Sequence, residues 1–185
     1  MSATDSSSGS PSTSWALQDF KGTGYDKGRS VVIQVLWLVT SSMIMPWWVP
    51  NRVRVSVLRL FGAVIGERVL IRHRVRIHWP WKLAVGDNSW IGEGTWILNL
   101  EPVQIGHDTC ISQDVLLCAG SHNRRSPSFE FDNGPILIGD GVWIGARATV
   151  LRNVQVGSNS VVGATALVVR SVAPNSIIRA PLEPK

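Results

Sequence analysis

The sequence predicts an all-β chain: a parallel β-helix of about five three-sided coils, preceded by one or two helices. Three observations predict it. Aliphatic residues recur every six positions, at Ile65, Ile71, Ile77, Val85, Ile91, Ile97, Ile105, Ile111, Leu117, Ile138, Ile144, Val150, Val156, Val162 and Val168. That spacing has no helical period, and alternation within each hexad turns every second side chain inward. Glycine follows eight of these fifteen residues, and a residue tolerant of unusual backbone angles at a fixed offset marks a corner. Finally, the ladder is interrupted by two residues before Val85, two before Ile105 and fifteen before Ile138, always after a third hexad. A coil therefore has three sides and eighteen residues, every insertion leaves from one corner, and the coils start near Ile65, Val85, Ile105, Ile138 and Val156.

In chain order, residues 1–14 are rich in Ser and Thr and almost free of apolar side chains. Such a stretch cannot offset its ordering entropy and is expected to be a disordered tail. It lacks the basic start and apolar run of a secretory signal. Residues 15–64 form an amino-terminal helical segment. Within it, residues 31–51 carry no charge and are flanked by Lys27 and Arg29 on one side and Arg52 and Arg54 on the other. Three arrangements fit: a bilayer span, a helix lying in the membrane interface, and a helix packed on the domain. Gln34, the Thr40-Ser41-Ser42 cluster and the helix-ending Pro46 weigh against a span, whereas Trp47 and Trp48 beside basic residues favour peripheral contact through residues 31–50. A second short helix over residues 52–61 leads into the repeat.

The β-helix is expected over residues 65–178, followed by a carboxyl-terminal tail, 179–185. The residue four after each ladder aliphatic is usually small or β-branched (Val69, Thr95, Thr109, Ser121 and Val142 among them) and forms the second inward column. Residues 123–137 are an excursion from the insertion corner, with His122 at its base. The excursion is a candidate wall of a cleft, with Phe129 and Phe131 as contacts to a neighbouring subunit. A length of 185 residues suits one domain. Two cysteines without CxxC spacing fit a reducing, cytoplasmic setting. The net charge of +5 is compatible with an anionic partner. No nucleic-acid-binding motif accompanies that charge, so nucleic acid is not an expected partner.

The pattern resembles the hexapeptide-repeat acyltransferases. The segments FGAVIG (61–66), RIHWPWKLAVGDNSWIGEGTWILNL (76–100), ISQDVLLCAGSHN (111–123) and IGDGVWIGARATV (138–150) are similar to the colanic-acid-biosynthesis acetyltransferase group, near the galactoside and nodulation-factor acetyltransferases. The resemblance covers about residues 30–178. It implies a left-handed helix, a homotrimer with active sites in clefts between neighbouring β-helices, and acetyl transfer from acetyl-CoA to a sugar or glycan hydroxyl, in the cytoplasm or at the inner face of the membrane.

Such a transfer needs a base for the sugar hydroxyl and donors for the thioester oxyanion. His122, in the GSH motif, matches the family's catalytic histidine. The resemblance further assigns Asn99 and Trp143 to the acceptor side of the cleft. It assigns Ala146 and Ala164 to the pantetheine arm and Arg170 to the phosphates of acetyl-CoA, for which a guanidinium is chemically suited. Two positions depart from the family pattern. Asn123 follows the histidine where Asp is common, and Arg179-Ala180-Pro181 stands where a glycine-containing turn usually ends the cofactor site. The basic cluster Arg68, Arg72, His73, Arg74, Arg76 and His78 faces either acidic lipid, a pyrophosphate-linked sugar or solvent. Two other functions compete. One is a non-catalytic β-helix that scaffolds or binds sugar. The other is a carbonic-anhydrase-like zinc enzyme, prompted by the HxxxxH spacing of His73 and His78.

Overall fold

Each hexad makes one strand of two or three residues, and stacked hexads pair in parallel. The computed structural model describes residues 17–180; the tail expected over residues 1–14 lies outside them. Strands of the first side (Val64–Ile65, Leu83–Val85, Val103–Ile105, Ile136–Ile138, Val154–Val156) form one five-stranded sheet, and those of the third side form another. The second side (Leu70–Ile71, Trp90–Ile91, Cys110–Ile111, Trp143–Ile144, Val161–Val162, Ile177–Ile178) forms a sheet of six. The result is the left-handed parallel β-helix of the hexapeptide-repeat fold.

It has five complete coils and two sides of a sixth, beyond the five predicted. Val172 bridges to Val156, and Ile177–Ile178 pairs with Val161–Val162. Strict eighteen-residue spacing would have placed Pro174 and Ala180 opposite Val156 and Val162. The last coil is two residues shorter, at the same corner from which the insertions leave. That shift hides the sixth turn from a six-residue count.

No ladder aliphatic is more than 6% exposed. The second inward column lies two residues before each of them, from Ala63 to Ala166. This corrects one assignment: after the long excursion Ile136, not Ser121, occupies the inward site, because the insertion intervenes between them. Polar members of the column bind coil to coil. Ser89 Oγ donates to Gly106 O at 2.7 Å and accepts from Thr109 N at 3.0 Å, and Thr109 Oγ1 donates to Gly139 O at 2.8 Å. The hydrogen bonds of hydroxyls used this way offset the cost of taking them out of water.

The repeat glycines act differently from the expectation. Left-handed backbone occurs three residues after the aliphatic, at Arg68, Arg74, Asn88, Asp108, Asp114, Arg147, Asn153, Asn159 and Thr165, and not at the glycines directly after it. Those glycines are required by close coil stacking: a Cβ on Gly86 would lie 2.7 Å from Gly106 C, and one on Gly145 would lie 2.5 Å from Ala164 N.

Helices α1 (Val31–Ile44) and α2 (Asn51–Leu60) cover the first coil. An uncapped coil would leave ladder groups unpaired, and three side chains answer them. Asn51 donates to Val69 O at 2.9 Å and accepts from Ile71 N at 2.8 Å. Trp37 Nε1 donates to His78 O at 3.0 Å. The buried Arg54 donates to Ile44 O, Ile71 O and Pro46 O. No helix among the described residues is long and apolar enough to cross a membrane, so α1 is not a span. It is packed on the domain through Trp37 and Ile44.

Candidate functional site

The excursion leaves the third side after Cys118 and returns as an antiparallel pair, with His122 bridged to Phe131. Its base is closed by Gly134 N donating to Ala119 O at 3.0 Å and Ser121 N to Asn133 Oδ1 at 3.1 Å. At the tip, Asn123 Nδ2 donates to Glu130 Oε1 at 2.9 Å, and Ser128 Oγ donates to Glu130 Oε2 at 2.7 Å. Hydroxyl bonds from Ser126 and Ser128 lead the causes that hold the Glu130 carboxyl down at about 2. Asn123 is therefore not a weakened copy of an aspartate. It needs its N–H donors to hold Glu130, and a carboxylate there would repel it.

His122 is half-buried, with Nδ1 2.7 Å from the carbonyl of Phe129. A carbonyl accepts only, so Nδ1 carries the proton, and in the neutral ring Nε2 is left as the acceptor. The ring stacks on Phe129 (centroids 4.5 Å apart, planes 5° from parallel) and on Phe131 (5.1 Å), while Phe20 meets it edge-on at 5.1 Å. Phe129 and Phe131 thus clamp the histidine within its own chain. Phe129 has φ of +51°, and is the one non-glycine left-handed residue outside the coil corners among the described residues. That costly geometry for a bulky residue occurs at the residue whose carbonyl sets the His122 tautomer. Phe20 and Tyr25, which packs on Phe131 at 4.8 Å, are site neighbours the sequence did not disclose. A polar depression of about 450 Å³ opens beside the ring, lined by Ser121, His122, Asn123, Arg124, Arg125, Asp132 and Arg152. Arg152, from the next coil, pairs with Asp132.

The other predicted residues are spread over the prism. Arg170 is exposed on the same corner as His122, further along the axis. Ala146 and Ala164 stack at the corner between the second and third sides, where Thr165 N donates to Ala146 O at 2.8 Å. The register adds Ala180 above them, whereas the earlier coils place His73, Glu93 and Gln113 in that column. The column is thus narrow from Ala146 onward, a strip where a thin chain can lie against the main chain. Trp143 stands on the outer second side, with Nε1 donating to Ser112 Oγ at 3.0 Å. With Trp90 and Cys110 it lines a groove of about 470 Å³.

Asn99 is the exception, and its expected contact with the acceptor is not supported by its position. It is fully buried, accepts from Trp79 N at 2.9 Å and donates to Trp79 O. Strand alternation carries on past Ile97, so Trp79, Asn99 and Ala119 form a further inward column. Asn99→Ala is expected to lower stability by about 1–3 kcal/mol, by stranding the main chain of Trp79. Urea denaturation measures it; unchanged stability with a raised acceptor KM would return Asn99 to the acceptor. His73 pairs with Glu93 at 3.1 Å and His78 meets Trp79 edge-on. Among the described residues no group of three His, Cys, Asp or Glu is arranged to hold a metal ion.

Comparison with known proteins agrees with the pattern of coils. The bacterial transferase hexapeptide (six repeats) family matches residues 135–170. The chain is 36% identical over 170 residues to the putative colanic acid biosynthesis acetyltransferase WcaF of Escherichia coli, covering 88% of this chain and 92% of that protein. It is 28% identical to the galactoside O-acetyltransferase of the same organism, over 67% of this chain and 63% of that one. Among solved structures, the hexapeptide-repeat acetyltransferase VCA0836 of Vibrio cholerae complexed with acetyl-CoA superposes with a TM-score of 0.77 at 22% identity, covering 88% of this chain and 91% of that one, which is a likeness of fold. With its coils, its excursion at the insertion corner and its likeness to WcaF along nearly the whole length, the chain belongs to the hexapeptide-repeat acyltransferase superfamily.

Proposed function

We propose that the protein transfers an acetyl group from acetyl-CoA to a sugar hydroxyl in polysaccharide biosynthesis or modification, with His122 as general base. The observation that carries this reading is the hydrogen bond from His122 Nδ1 to the Phe129 carbonyl, which leaves Nε2 to take a proton. Nε2 removes the hydroxyl proton as the oxygen attacks the thioester carbonyl; the tetrahedral intermediate collapses, and the proton passes to the departing CoA thiolate. The strip at Ala146 and Ala164 admits the pantetheine arm, and Arg170 is a ligand for the phosphates. His122 and that strip lie on different corners of the prism, so a homotrimer, in which one chain's corner faces another's, supplies the cleft. Acetyl-CoA and the free thiols Cys110 and Cys118 suit the cytoplasm. A screen of acetyl transfer from acetyl-CoA across neutral and acidic glycosides tests the reading. Turnover with some glycoside supports it, while absence of both CoA binding and transfer would leave a non-catalytic scaffold.

Peripheral membrane contact belongs to the same proposal. The inward face of α1 includes Gln34, Thr40 and Ser41, whereas Val31, Val32, Val35, Leu36, Leu38, Val39 and Met43 point out. That is the reverse of a water-facing helix. Ser41 and Ser42 donate back to Leu38 O and Val39 O, so neither hydroxyl needs water. Trp47 and Trp48 are 74% and 66% exposed, with Arg52 close by in sequence. Sedimentation with phosphatidylglycerol vesicles is expected to capture the protein, and Trp47→Ala with Trp48→Ala to weaken capture about tenfold or more. Equal capture of both proteins would remove this anchor.

A further inference from the structure

We propose that residues 20–29 are a strap that ties the excursion to the scaffold, and that Phe20, at its far end, is a positioning residue for His122. The proposal rests on the reading of His122 as general base and deepens it. The stacked Phe129 and Phe131 belong to the excursion and move with it, so they do not fix the imidazole relative to the coils. Phe20 comes from a separate segment. Its ring meets His122 at 5.1 Å and Phe131 at 5.2 Å, both at 75°, so one side chain is set edge-on against two rings. In a close-packed cluster neither of those rings can turn unless Phe20 also moves. Tyr25 adds a second edge-on contact to Phe131, at 4.8 Å.

The strap has no helix or strand of its own, and Gly22, Gly24 and Gly28 within it all have positive φ. Its place is therefore set by what grips it, and the grips are the shorter insertions at the same corner as the excursion. The first insertion carries the short turn Pro80–Lys82. Trp81 Nε1 donates to Lys27 O at 2.7 Å, and the strap lies so close on this ring that a Cβ on Gly28 would be 2.9 Å from Nε1. Lys82, with its side chain only 11% exposed, donates to Asp26 O and to Leu100 O of the second insertion, and its Nζ is 5.5 Å from the centre of the Tyr25 ring. Leu100 in turn lies against Gly120 at the base of the excursion, where a Cβ would be 2.7 Å from its Cδ1. The three insertions thus make one wall: the first two hold the strap, and the third carries the histidine that the strap meets. A general base acts only when held within reach of the proton it takes, and this wall supplies that hold from outside the loop.

The test uses the full chain and the glycoside that turns over fastest in the screen above. Phe20→Ala is expected to lower kcat about tenfold, the scale of two edge-on ring contacts. The KM for acetyl-CoA should stay unchanged, since the strip of small residues lies on another corner. Phe20→Leu, which keeps apolar bulk at the position, should recover part of the loss. Lys82→Met loosens the strap at its other end. It should lower kcat in the same way, and Phe20→Ala should cost much less in that background, because two residues acting through one element are not additive. Wild-type kcat in Phe20→Ala, even with a lowered melting temperature, would overturn the strap and leave His122 as base standing; so would full additivity in the double variant. If no glycoside is acetylated, modification by diethyl pyrocarbonate, read by mass spectrometry at each histidine, decides without any acetyl transfer. Faster modification of His122 in Phe20→Ala, with His73 and His107 unchanged, upholds the strap. No rise at His122, or a rise shared by the other two, overturns it.

Discussion

His122→Ala is expected to lower kcat for acetyl transfer by about 10²- to 10⁴-fold, the range lost when a positioned general base is removed, with folding and acetyl-CoA binding retained. The ring also holds the excursion, through Nδ1 to Phe129 O and the stacked Phe129 and Phe131. Alanine alone therefore does not separate a chemical role from a structural one. His122→Asn does: its side-chain amide can donate to the same carbonyl but has no basic nitrogen. Both variants are expected to lose turnover to a similar extent, with the Asn variant closer to wild type in thermal stability. Near-normal transfer by either variant would sink the assignment of His122 as base. Recovery of activity in the Asn variant alone would show that the ring is needed for its hydrogen bond and not for its proton.

The sequence showed most of the fold because every ladder site accepts only an aliphatic side chain, so the core is written in register. Where register slips, the reading failed. The two-residue shortening before Val172 put Pro174 on the expected ladder and concealed the sixth turn. The excursion separated Ser121 from the inward site that Ile136 fills. Asn99 was legible in principle, since continuing the alternation from Ile97 points it inward; the family resemblance drew attention outward instead. His122 was found from its motif. Its surroundings were not, because Phe20 and Tyr25 reach it across most of the chain through contacts that no periodicity records. The polar depression was equally hidden, since its lining comes from the loop and from Arg152 of the next coil, brought together only once the loop has folded.

Ile144→Asp is expected to abolish the soluble folded protein. Ile144 is fully buried, in register with Ile111 on one side and Val162 on the other. Truncating such a side chain costs about 2–5 kcal/mol, and burying an unpartnered polar group adds about 2–7 kcal/mol. Together these reach the whole stability of a typical domain, about 5–15 kcal/mol, even if the new carboxyl stays protonated. Position along the stack should matter as much as burial, because each coil is held by its two neighbours. Among the described residues Ile178 lies in the last strand and pairs on one side only, with Val162. Ile178→Asp should fray that strand and leave the central coils folded. Ile144→Val, which keeps the shape of the ladder, should cost only about 0.5–1.5 kcal/mol. Soluble yield, circular dichroism and urea midpoints of the three variants test the gradient, and a soluble Ile144→Asp protein with unchanged circular dichroism would remove Ile144 from the core.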